Sequence, residues 1–277
     1  MLWQTPDRIF DLSRRGLLMG VLNVTPDSFS DGGRWLDIDA AVAHGLAMAV
    51  DGAEIIDIGG ESTRPGADPV GEEEEMRRVL PVIQGLMAEL PSAVISIDTM
   101  KPAVARAAVS AGAAIINDIA GLRDPEMRRA VLETGAAAIV MHMKGEPRTM
   151  QAAPHYENVV DEVRESLRQT FEACLTCGID PMRIAFDPGI GFGKTVAHNI
   201  DLLRNLESVR VHGRPLAVGV SRKSFIGRIL GTPSMEDRDW PTVALTACLR
   251  QRGANILRVH DVKPNAHSLR MTEAILG

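Results

Sequence analysis

The sequence predicts an α/β protein with one domain over residues 1–277, a single (β/α)8 TIM barrel. The main observation is a recurring phrase: an amphipathic, alanine-rich segment, then a glycine, then a short run of Ile and Val. It occurs as "GAEIIDIG" (52–59), "GAAIINDI" (112–119), "GAAAIVMHM" (135–143) and "GANILRVHD" (253–261). Glycine after a helical run is typical of a helix end, and a short apolar run indicates a buried strand. Helices that alternate with strands predict a parallel sheet.

Eight strands of this kind follow one another along the chain. Each is short and nearly all apolar, as expected for strands covered on both faces. They are predicted at Leu17–Asn23, Glu54–Ile58, Ala93–Asp98, Ala114–Asp118, Ala137–His142, Arg183–Asp187, Pro215–Ser221 and Asn255–His260.

Helical patterns fill the intervals between the predicted strands. Pro102 and Pro125 each stand at a first helical position, where the missing N–H costs nothing. The acidic run Glu72–Glu75 is interpreted as a solvated first turn that suits the helix dipole. The helices are predicted at Asp39–Val50, Gly71–Leu90, Pro102–Ser110, Pro125–Glu133, Tyr156–Cys177, Val196–Val209, Lys223–Arg252 in two pieces, and Ala266–Leu276.

An open, doubly wound sheet is the alternative to the barrel. Such a sheet usually carries G-x-G-x-x-G in its first turn, whereas the turn after the first predicted strand reads "NVTPDSFSDGG" (23–33). Eight consecutive units in 277 residues also suit a closed barrel, because such barrels commonly reach ~250 residues as one domain.

Composition and charge exclude some functional classes and indicate a cellular compartment. A net charge of −6 argues against a dedicated nucleic-acid binder and against binding to an anionic membrane surface. No signal peptide is visible in "MLWQTPDRIFDLSRRG", and no apolar run approaches the ~20 residues of a membrane span. Three cysteines suit a reducing compartment, and Cys174 and Cys177 are interpreted as helix packing rather than a redox or metal pair. We therefore expect a cytoplasmic protein.

Polar residues end all eight predicted strands. One such residue could simply cap the next helix, but the carboxyl ends of barrel strands converge on one mouth, where active sites lie. We therefore predict one site there. Its candidate residues are Asn23, Asp57, Asp98, Asn117, Asp118, His142, Asp187, Ser221, Arg222, Lys223, Arg258 and His260.

The candidate residues divide by chemistry. Lys223, Arg258 and His260, joined by Arg64 from the loop after the second strand, are more cationic donors than one phosphate needs and suit a diphosphate. Carboxylates pair best with two parallel N–H groups, the edge that an amino-pyrimidinone ring such as a pterin presents. Asp98 and Asp187 are suited to that part of a ligand.

The segment "DPGIGFGKT" (187–195) resembles a phosphate loop but lacks its spacing. The motif G-x-x-x-x-G-K-[ST] needs glycine where this chain has Pro188. Its Gly-Lys-Thr ending is interpreted as a coincidence, and its glycines as positions that let the loop turn sharply and pass close to a ligand.

Seven motifs together resemble the dihydropteroate synthase family, in order and over nearly the whole chain. They are "MGVLNVTPDSFSDGG", "DIGGESTRPGA", "ISIDT", "IINDI", "DPGIGFGK", "SRKSFIG" and "RVHDV". The resemblance implies a transferase of folate biosynthesis. It joins 6-hydroxymethyl-7,8-dihydropterin diphosphate to 4-aminobenzoate and releases diphosphate, with Mg²⁺ as cofactor. It also implies a homodimer and competition by sulfonamides, which imitate 4-aminobenzoate.

The same resemblance implies a role for each matching residue. Those taken to act directly in the reaction are Asn23, Lys223, Arg258 and His260, with Asn23 also the Mg²⁺ ligand. The pterin pocket is expected from Asp98, Asn117, Met141, Asp187, Lys223 and Arg258. The diphosphate is expected at Asn23, Thr63, Arg64, Arg258 and His260, and 4-aminobenzoate at Phe29, Thr63, Pro65, Phe192 and Ser221.

Two positions depart from the family pattern. Ile190 stands where phenylalanine is frequent, and "RDWPTVAL" (238–245) replaces a segment that usually has small residues. The bulky Trp240 and rigid Pro241 put the local helix start and any nearby dimer contact in question.

Several alternatives stay open from the residues alone. His260 could be a diphosphate donor, a general base or a structural residue, and His142 could line the site or the core. The rival functions are a pterin-binding methyltransferase barrel, a non-catalytic pterin-binding paralogue, and a Schiff-base aldolase that uses Lys223.

Overall fold

The computed structural model describes residues 1–25, 34–62 and 68–277, without the side chains of 34–37. Two short strands, β1 (Leu2–Gln4) and β2 (Ile9–Asp11), form an antiparallel hairpin. Eight parallel strands follow: β3 (Leu17–Asn23), β4 (Ile55–Gly59), β5 (Val94–Asp98), β6 (Ile115–Asp118), β7 (Ala137–Met141), β8 (Ile184–Asp187), β9 (Ala217–Gly219) and β10 (Ile256–Val259).

The eight parallel strands form a barrel, which confirms the predicted fold class. Their order is β8-β7-β6-β5-β4-β3-β10-β9. A parallel bridge between Phe186 and Leu216 joins the two ends, and the Phe186 N–H donates to the Pro215 carbonyl at 2.9 Å. All eight predicted strands are present, with ends that differ from the prediction by at most two residues.

The helices pack around the barrel. They are α1 (Arg34–Val50), α2 (Glu72–Glu89), α3 (Pro102–Ser110), α4 (Pro125–Thr134), α5 (Val159–Cys177), α6 (Val196–Arg204), α7 (Ser224–Leu230), α8 (Asp239–Gln251) and α9 (Val262–Leu276). Pro102 and Pro125 hold first helical positions, as predicted. The helix predicted at Val196–Val209 ends at Arg204 and continues as a separate 3₁₀ turn.

The unusual segment 238–245 does not disturb its helix. A 3₁₀ turn, Glu236–Arg238, leads directly into α8. Pro241 lies in the first turn of α8, where backbone N–H groups have no partner within the helix. The helix start is therefore retained.

The N-terminal hairpin was not predicted from the sequence, because three-residue strands are shorter than the periodic patterns can resolve. Trp3 is fully buried and packs with Phe10, Leu12 and the first residues of the barrel strands. Its indole N–H donates to the Arg183 carbonyl at 3.1 Å. The hairpin thus closes the amino-terminal end of the barrel and leaves the opposite end as the mouth.

The interpretation of Glu72–Glu75 as a solvated turn is wrong for Glu75. Its side chain is fully buried and pairs with Lys101, which also binds Glu61 near the start of the loop after β4. Burial lowers the pKa of Lys101, but the hydrogen bonds to Glu61 and Glu75 outweigh burial and raise it. The acid therefore ties α2 to the start of α3 instead of facing water.

Two further expectations concern cysteines and membranes. Cys174 is buried on the inner face of α5 beside Phe171, and burial raises the pKa of its thiol to about 12, as suits a packing residue. Among the helices of the described ranges, none is long and apolar enough to cross a bilayer.

Candidate active site

Strand register brings three of the predicted site residues, Asn23, Asp98 and Asn117, into one row with Gly59. Asn23 pairs with Gly59, Gly59 with Asp98, and Asp98 with Asn117. Gly59 has no side chain between its neighbours: a Cβ there would lie 3.8 Å from both Asn23 Oδ1 and Asp98 Oδ2. The two oxygens therefore face the same small space at the mouth.

Arg258 occupies the centre of this mouth. Its Nε donates to Asp57 Oδ2 at 2.6 Å, and its Nη2 donates to Asp98 Oδ2 at 2.7 Å. Burial lowers the pKa of Arg258, but the carboxylates of Asp57 and Asp98 outweigh it and leave the pKa above its usual value. Its Nη1 has no hydrogen bond to the residues that the structure describes, so this donor remains for a ligand.

Asp57 is a site residue whose role the sequence did not assign. It is fully buried, and its Oδ2 accepts from both Arg258 and Asn117, the latter at 3.1 Å. A signal was available: an aspartate within the apolar run "EIIDIG" must find a cation or donor, because an unpaired buried charge is very costly. The sequence did not indicate which cation pairs with Asp57.

Asp98 is a carboxyl group poised to titrate near neutral pH. Burial raises its pKa to about 7, Arg258 opposes the rise, and the neighbouring Asp57 adds to it. Because a shifted pKa in a cleft is typical of functional sites, this supports its prediction as a ligand contact.

Asp187 and Lys223 lie at and just after the carboxyl ends of the neighbouring strands β8 and β9, and they interact electrostatically. Asp187 ends β8, opposite Met141 on β7, and its Oδ1 accepts from the Gly189 N–H at 2.7 Å. Burial raises the pKa of Asp187, and Lys223 opposes that rise. Burial lowers the pKa of Lys223 to about 8, while Asp187 raises it. The pair therefore places a hydrogen-bond acceptor, Asp187, and a cation, Lys223, in one buried region of the mouth.

Phe192 and Met141 line the apolar side of the mouth. Phe192 packs against a cluster that contains Met141, Met143 and Met150. Lys223 Nζ lies 4.6 Å from the centroid of the Phe192 ring, within the range of a cation–π contact, and it also donates to the Ile190 carbonyl. An aromatic ligand would meet these side chains.

Ser221 and His260 are paired at the ends of adjacent strands. Ser221 Oγ lies 2.9 Å from His260 Nδ1 and accepts from the His260 N–H at 3.2 Å. The contact joins the residue predicted for 4-aminobenzoate to one predicted for diphosphate.

The glycines of "DPGIGFGKT" let the loop turn sharply, as predicted, and the close approach that they allow is to the backbone of the loop after β7. Gly189 has φ +68°, and a Cβ there would lie 1.9 Å from the His142 carbonyl oxygen. Lys194 is only 3% exposed, and its Nζ lies 2.9 Å from the carbonyl oxygens of both Gly189 and Phe192. Thr195 caps α6. Neither residue of the Lys-Thr pair is available to a phosphate, so the resemblance to a phosphate loop is coincidental.

Two strand-end residues serve the scaffold. Asp118 accepts from the N–H groups of Ala120 and Leu122, both at 2.8 Å, and shapes the loop after β6. The His142 ring lies against Lys194 at 3.0 Å, and burial, with help from Lys194, lowers its pKa to about 2. The neutral ring thus supports the loop after β8.

Four predicted ligand contacts lie outside the described residues: Phe29, Thr63, Arg64 and Pro65. The structure brings together the other ten, which are Asn23, Asp98, Asn117, Met141, Asp187, Phe192, Ser221, Lys223, Arg258 and His260.

The donor set at the mouth is compatible with Mg²⁺ held mainly by a ligand. Within 1–25, 34–62 and 68–277, no group of three His, Cys, Asp or Glu side chains could hold a metal ion by itself. Mg²⁺ usually keeps several waters and binds through one or two protein oxygens plus substrate phosphates. Asn23 Oδ1, near Asp98, fits that limited role.

Comparison with known proteins identifies the family. The pterin-binding enzyme family matches residues 19–260. Dihydropteroate synthase of Escherichia coli strain K12 is 46% identical over 94% of this chain and 92% of its own length. The mitochondrial folate synthesis bifunctional protein of Arabidopsis thaliana is 42% identical over 98% of this chain, but the chain spans only 51% of that protein.

Solved structures agree with the sequence relatives. Xanthomonas albilineans dihydropteroate synthase with 4-aminobenzoic acid matches with a TM-score of 0.92 and 46% identity, over 100% of this chain and 98% of that one. Yersinia pestis dihydropteroate synthase with a sulfonamide drug matches with a TM-score of 0.92 and 42% identity, over 100% and 99% of the two chains. The chain therefore belongs to the pterin-binding enzyme family, among the dihydropteroate synthases.

Proposed function

We propose that this chain joins 6-hydroxymethyl-7,8-dihydropterin diphosphate to 4-aminobenzoate, giving 7,8-dihydropteroate and diphosphate. The observation that carries the proposal is the arrangement of Asp98, Asn117, Asp187, Lys223 and Arg258 around one mouth. Together they offer acceptors for a pterin and cations for its diphosphate.

The pterin ring would lie between β5, β6 and β8. Its amino-pyrimidinone edge carries parallel N–H groups, for which the Asp187 carboxylate is a suitable acceptor. Lys223 would donate to the ring carbonyl, and Met141 would pack on one face. Arg258, held rigidly by two carboxylates, would lie along the ring and turn its remaining Nη1 to the diphosphate.

The reaction needs help mainly with departure of the diphosphate. Charge builds on the leaving oxygen as the C–O bond breaks, and fixed donors stabilise that charge more than water does. Arg258 and His260, with Arg64 as a predicted addition, would supply those donors. Bound at Asn23, Mg²⁺ would neutralise part of the diphosphate charge.

The amine of 4-aminobenzoate would then attack the exocyclic carbon of the pterin. Its nitrogen is unprotonated and nucleophilic at neutral pH, so we assign no strong general base. His260 Nδ1 lies against the Ser221 hydroxyl, which suits a donor that links the diphosphate and aminobenzoate positions. Phe192 and Ser221 would orient the aromatic ring, with Phe29, Thr63 and Pro65 as predicted contacts.

The test is formation of dihydropteroate by the purified protein with both substrates and Mg²⁺, together with release of one diphosphate per product. A non-catalytic paralogue would bind the pterin without turnover, and a methyltransferase would release no diphosphate. An aldolase would leave a covalent adduct on Lys223 after borohydride treatment. Any of these results would contradict the proposal.

Pterin affinity should depend on pH through Asp98. Its pKa of about 7 means that the carboxylate loses its charge as the pH falls below neutrality. If the charged form is the acceptor, affinity should fall by about fivefold between pH 7 and pH 6, because the ionised fraction falls from about one half to about one tenth. Calorimetric titration with a pterin at pH 6, 7 and 8 measures this. Asp98→Asn should bind weakly at every pH, and an unchanged slope in that variant would assign the titration to another group.

Sulfonamides should compete with 4-aminobenzoate. Relative to the family pattern, no additional residue is inserted beside Phe192, so the aminobenzoate position keeps the size that a sulfonamide imitates. The expected pattern is a rising KM for 4-aminobenzoate with an unchanged kcat as sulfonamide increases. Full activity at high sulfonamide and low aminobenzoate would contradict it.

The protein is proposed to be a homodimer through α7, α8 and α9. Large exposed apolar side chains are concentrated there: Ile229, Leu230, Met235, Trp240, Met271, Ile275 and Leu276. Such a surface usually marks an interface, and a second copy of this chain is the partner that its family suggests. Light scattering after size exclusion should give twice the chain mass. Trp240→Glu should shift it towards the monomer, whereas Val50→Glu, also at an exposed apolar position, should not.

We also propose that the reaction takes place in the cytoplasm. The support is the low cysteine count, together with free thiols at Cys174, Cys177 and Cys248. Cell fractionation with an antibody against the chain would decide this.

A further inference from the structure

The turn at 221–223 contains a strained residue. Arg222 has φ +58°, a left-handed conformation that side chains with a Cβ adopt with difficulty. Its neighbours on both sides belong to the site. Ser221 Oγ contacts His260, and Lys223 Nζ contacts the Ile190 carbonyl and lies near Asp187. The backbone conformation of Arg222 therefore determines the positions of Ser221 and Lys223.

The start of α8 holds Arg222 in this conformation. The guanidinium makes two parallel bonds to one carboxylate, with Nε 2.6 Å from Asp239 Oδ1 and Nη2 3.0 Å from Asp239 Oδ2. The Arg222 carbonyl accepts from Arg238 Nη1 at 3.0 Å, and its N–H donates to Thr242 Oγ1 at 3.4 Å. The side chain and the backbone of Arg222 are thus both held by the start of α8 and the 3₁₀ turn before it. Two-pronged pairs of this kind fix geometry as well as charge.

We propose that Asp239 is a positioning residue for the reaction, which holds the left-handed turn at Arg222 and so sets the places of Ser221 and Lys223. The inference rests on the roles proposed above for those two residues. Asp239 belongs to the segment 238–245 in which this chain departs from its family's pattern, and it touches no substrate itself. Its effect passes through the conformation of the neighbouring turn.

The first test compares Asp239→Ala with Glu236→Ala. Glu236 is an exposed acid one turn away whose side chain makes no hydrogen bond in the described part of the chain, and its backbone carbonyl, which accepts from the Asp239 N–H, is kept in the variant. We expect Asp239→Ala to raise the KM for 4-aminobenzoate and lower kcat, with kcat/KM down by about tenfold, the size of one lost charged hydrogen bond. Glu236→Ala should leave both constants unchanged. Unchanged constants in Asp239→Ala would overturn the inference.

A second test separates positioning from stability, because an acid at a helix start also stabilises the helix. Arg222→Gly is introduced into the Asp239→Ala chain. Glycine adopts positive φ readily, so the turn should form without the Arg222–Asp239 ion pair. We therefore expect kcat/KM to return to within about threefold of the original value. Thermal stability should not return, since the helix start still lacks its acid. Failure of glycine to restore activity would overturn the inference, as would recovery only in proportion to stability.

Two direct variants distinguish this inference from the proposed roles on which it rests. Ser221→Ala and Lys223→Met remove the two site groups themselves. If they impair 4-aminobenzoate and pterin binding while Asp239→Ala does not, only the positioning role is wrong. If they leave binding unchanged, the roles of Ser221 and Lys223 are wrong, and the positioning role falls with them. Should Asp239→Ala fold poorly, Asp239→Asn keeps one of the two bonds and should show a smaller loss of kcat/KM.

Discussion

Replacement of Asp187 by Asn should abolish useful pterin binding while leaving the barrel folded. The carboxylate is the acceptor proposed for two N–H groups of the pterin, and Asn can offer only one oxygen to that edge, with an NH2 group beside it. Hydrogen bonds to charged groups contribute about 1.5–3 kcal/mol each, so affinity should fall by roughly 100-fold or more. The backbone bond from Gly189 to Oδ1 can persist with an amide oxygen.

The measurement is calorimetric titration with the pterin diphosphate, alongside urea unfolding of the same samples. Asp118→Asn is the matched control, because Asp118 is also a buried strand-end carboxylate but turns to the loop N–H groups of Ala120 and Leu122. It should change unfolding more than pterin affinity. Unchanged pterin affinity in Asp187→Asn would remove Asp187 from the site.

Most of the fold could be predicted from the sequence, because the barrel repeats one simple unit. The glycine of "GAEIIDIG" ends a helical run and the following apolar residues form β4, and the same phrase precedes β6, β7 and β10. The two short strands of the hairpin could not be predicted in this way. Trp3 shows why: its burial depends on the closed end of a barrel that exists only after the other strands have assembled.

The positions of the strand-end residues could be predicted, but the pairings of their side chains could not. Strand-end position alone brings Asn23, Asp98 and Asn117 into one row, since parallel strands end at one edge. It does not reveal that Arg258 is bound by Asp57, a residue 201 positions away. Such pairing follows from side-chain direction in the closed barrel, which no local pattern carries.

Glu75 illustrates the same limit. Acids at a helix start usually face water, yet Glu75 is buried because Lys101 from the next unit reaches it. That contact joins two units, whereas the sequence motifs describe each unit alone. Lys194 needs no such contact: its motif lacks the spacing of a phosphate loop, and the side chain is enclosed by carbonyl oxygens of its own loop.

Replacement of Arg258 by Met should impair both stability and catalysis, and the loss of stability should depend on pH. Met keeps most of the side-chain length but leaves Asp57, which is fully buried, and Asp98 without their cation. Removing one partner of a buried ion pair typically destabilises a protein by about 3–5 kcal/mol. Loss of the cation raises the pKa of the remaining buried carboxyl groups in the folded state, and by binding protons they escape part of this cost.

The sign of the pH effect follows from that rise. A carboxyl group whose pKa is higher in the folded than in the unfolded state favours folding when protonated, so stability is lost as the pH rises through the interval between the two values. The deficit of Arg258→Met relative to the unmodified protein should therefore be larger at pH 8 than at pH 5. Urea unfolding at the two pH values measures it. Adding Asp57→Asn to Arg258→Met should recover part of the stability at pH 8, because one uncompensated charge is removed. It should not restore activity, because the donor proposed for the diphosphate is still missing. A deficit that is equal at both pH values, or no benefit from Asp57→Asn, would show that the carboxylates of Asp57 and Asp98 do not depend on Arg258 for their charge.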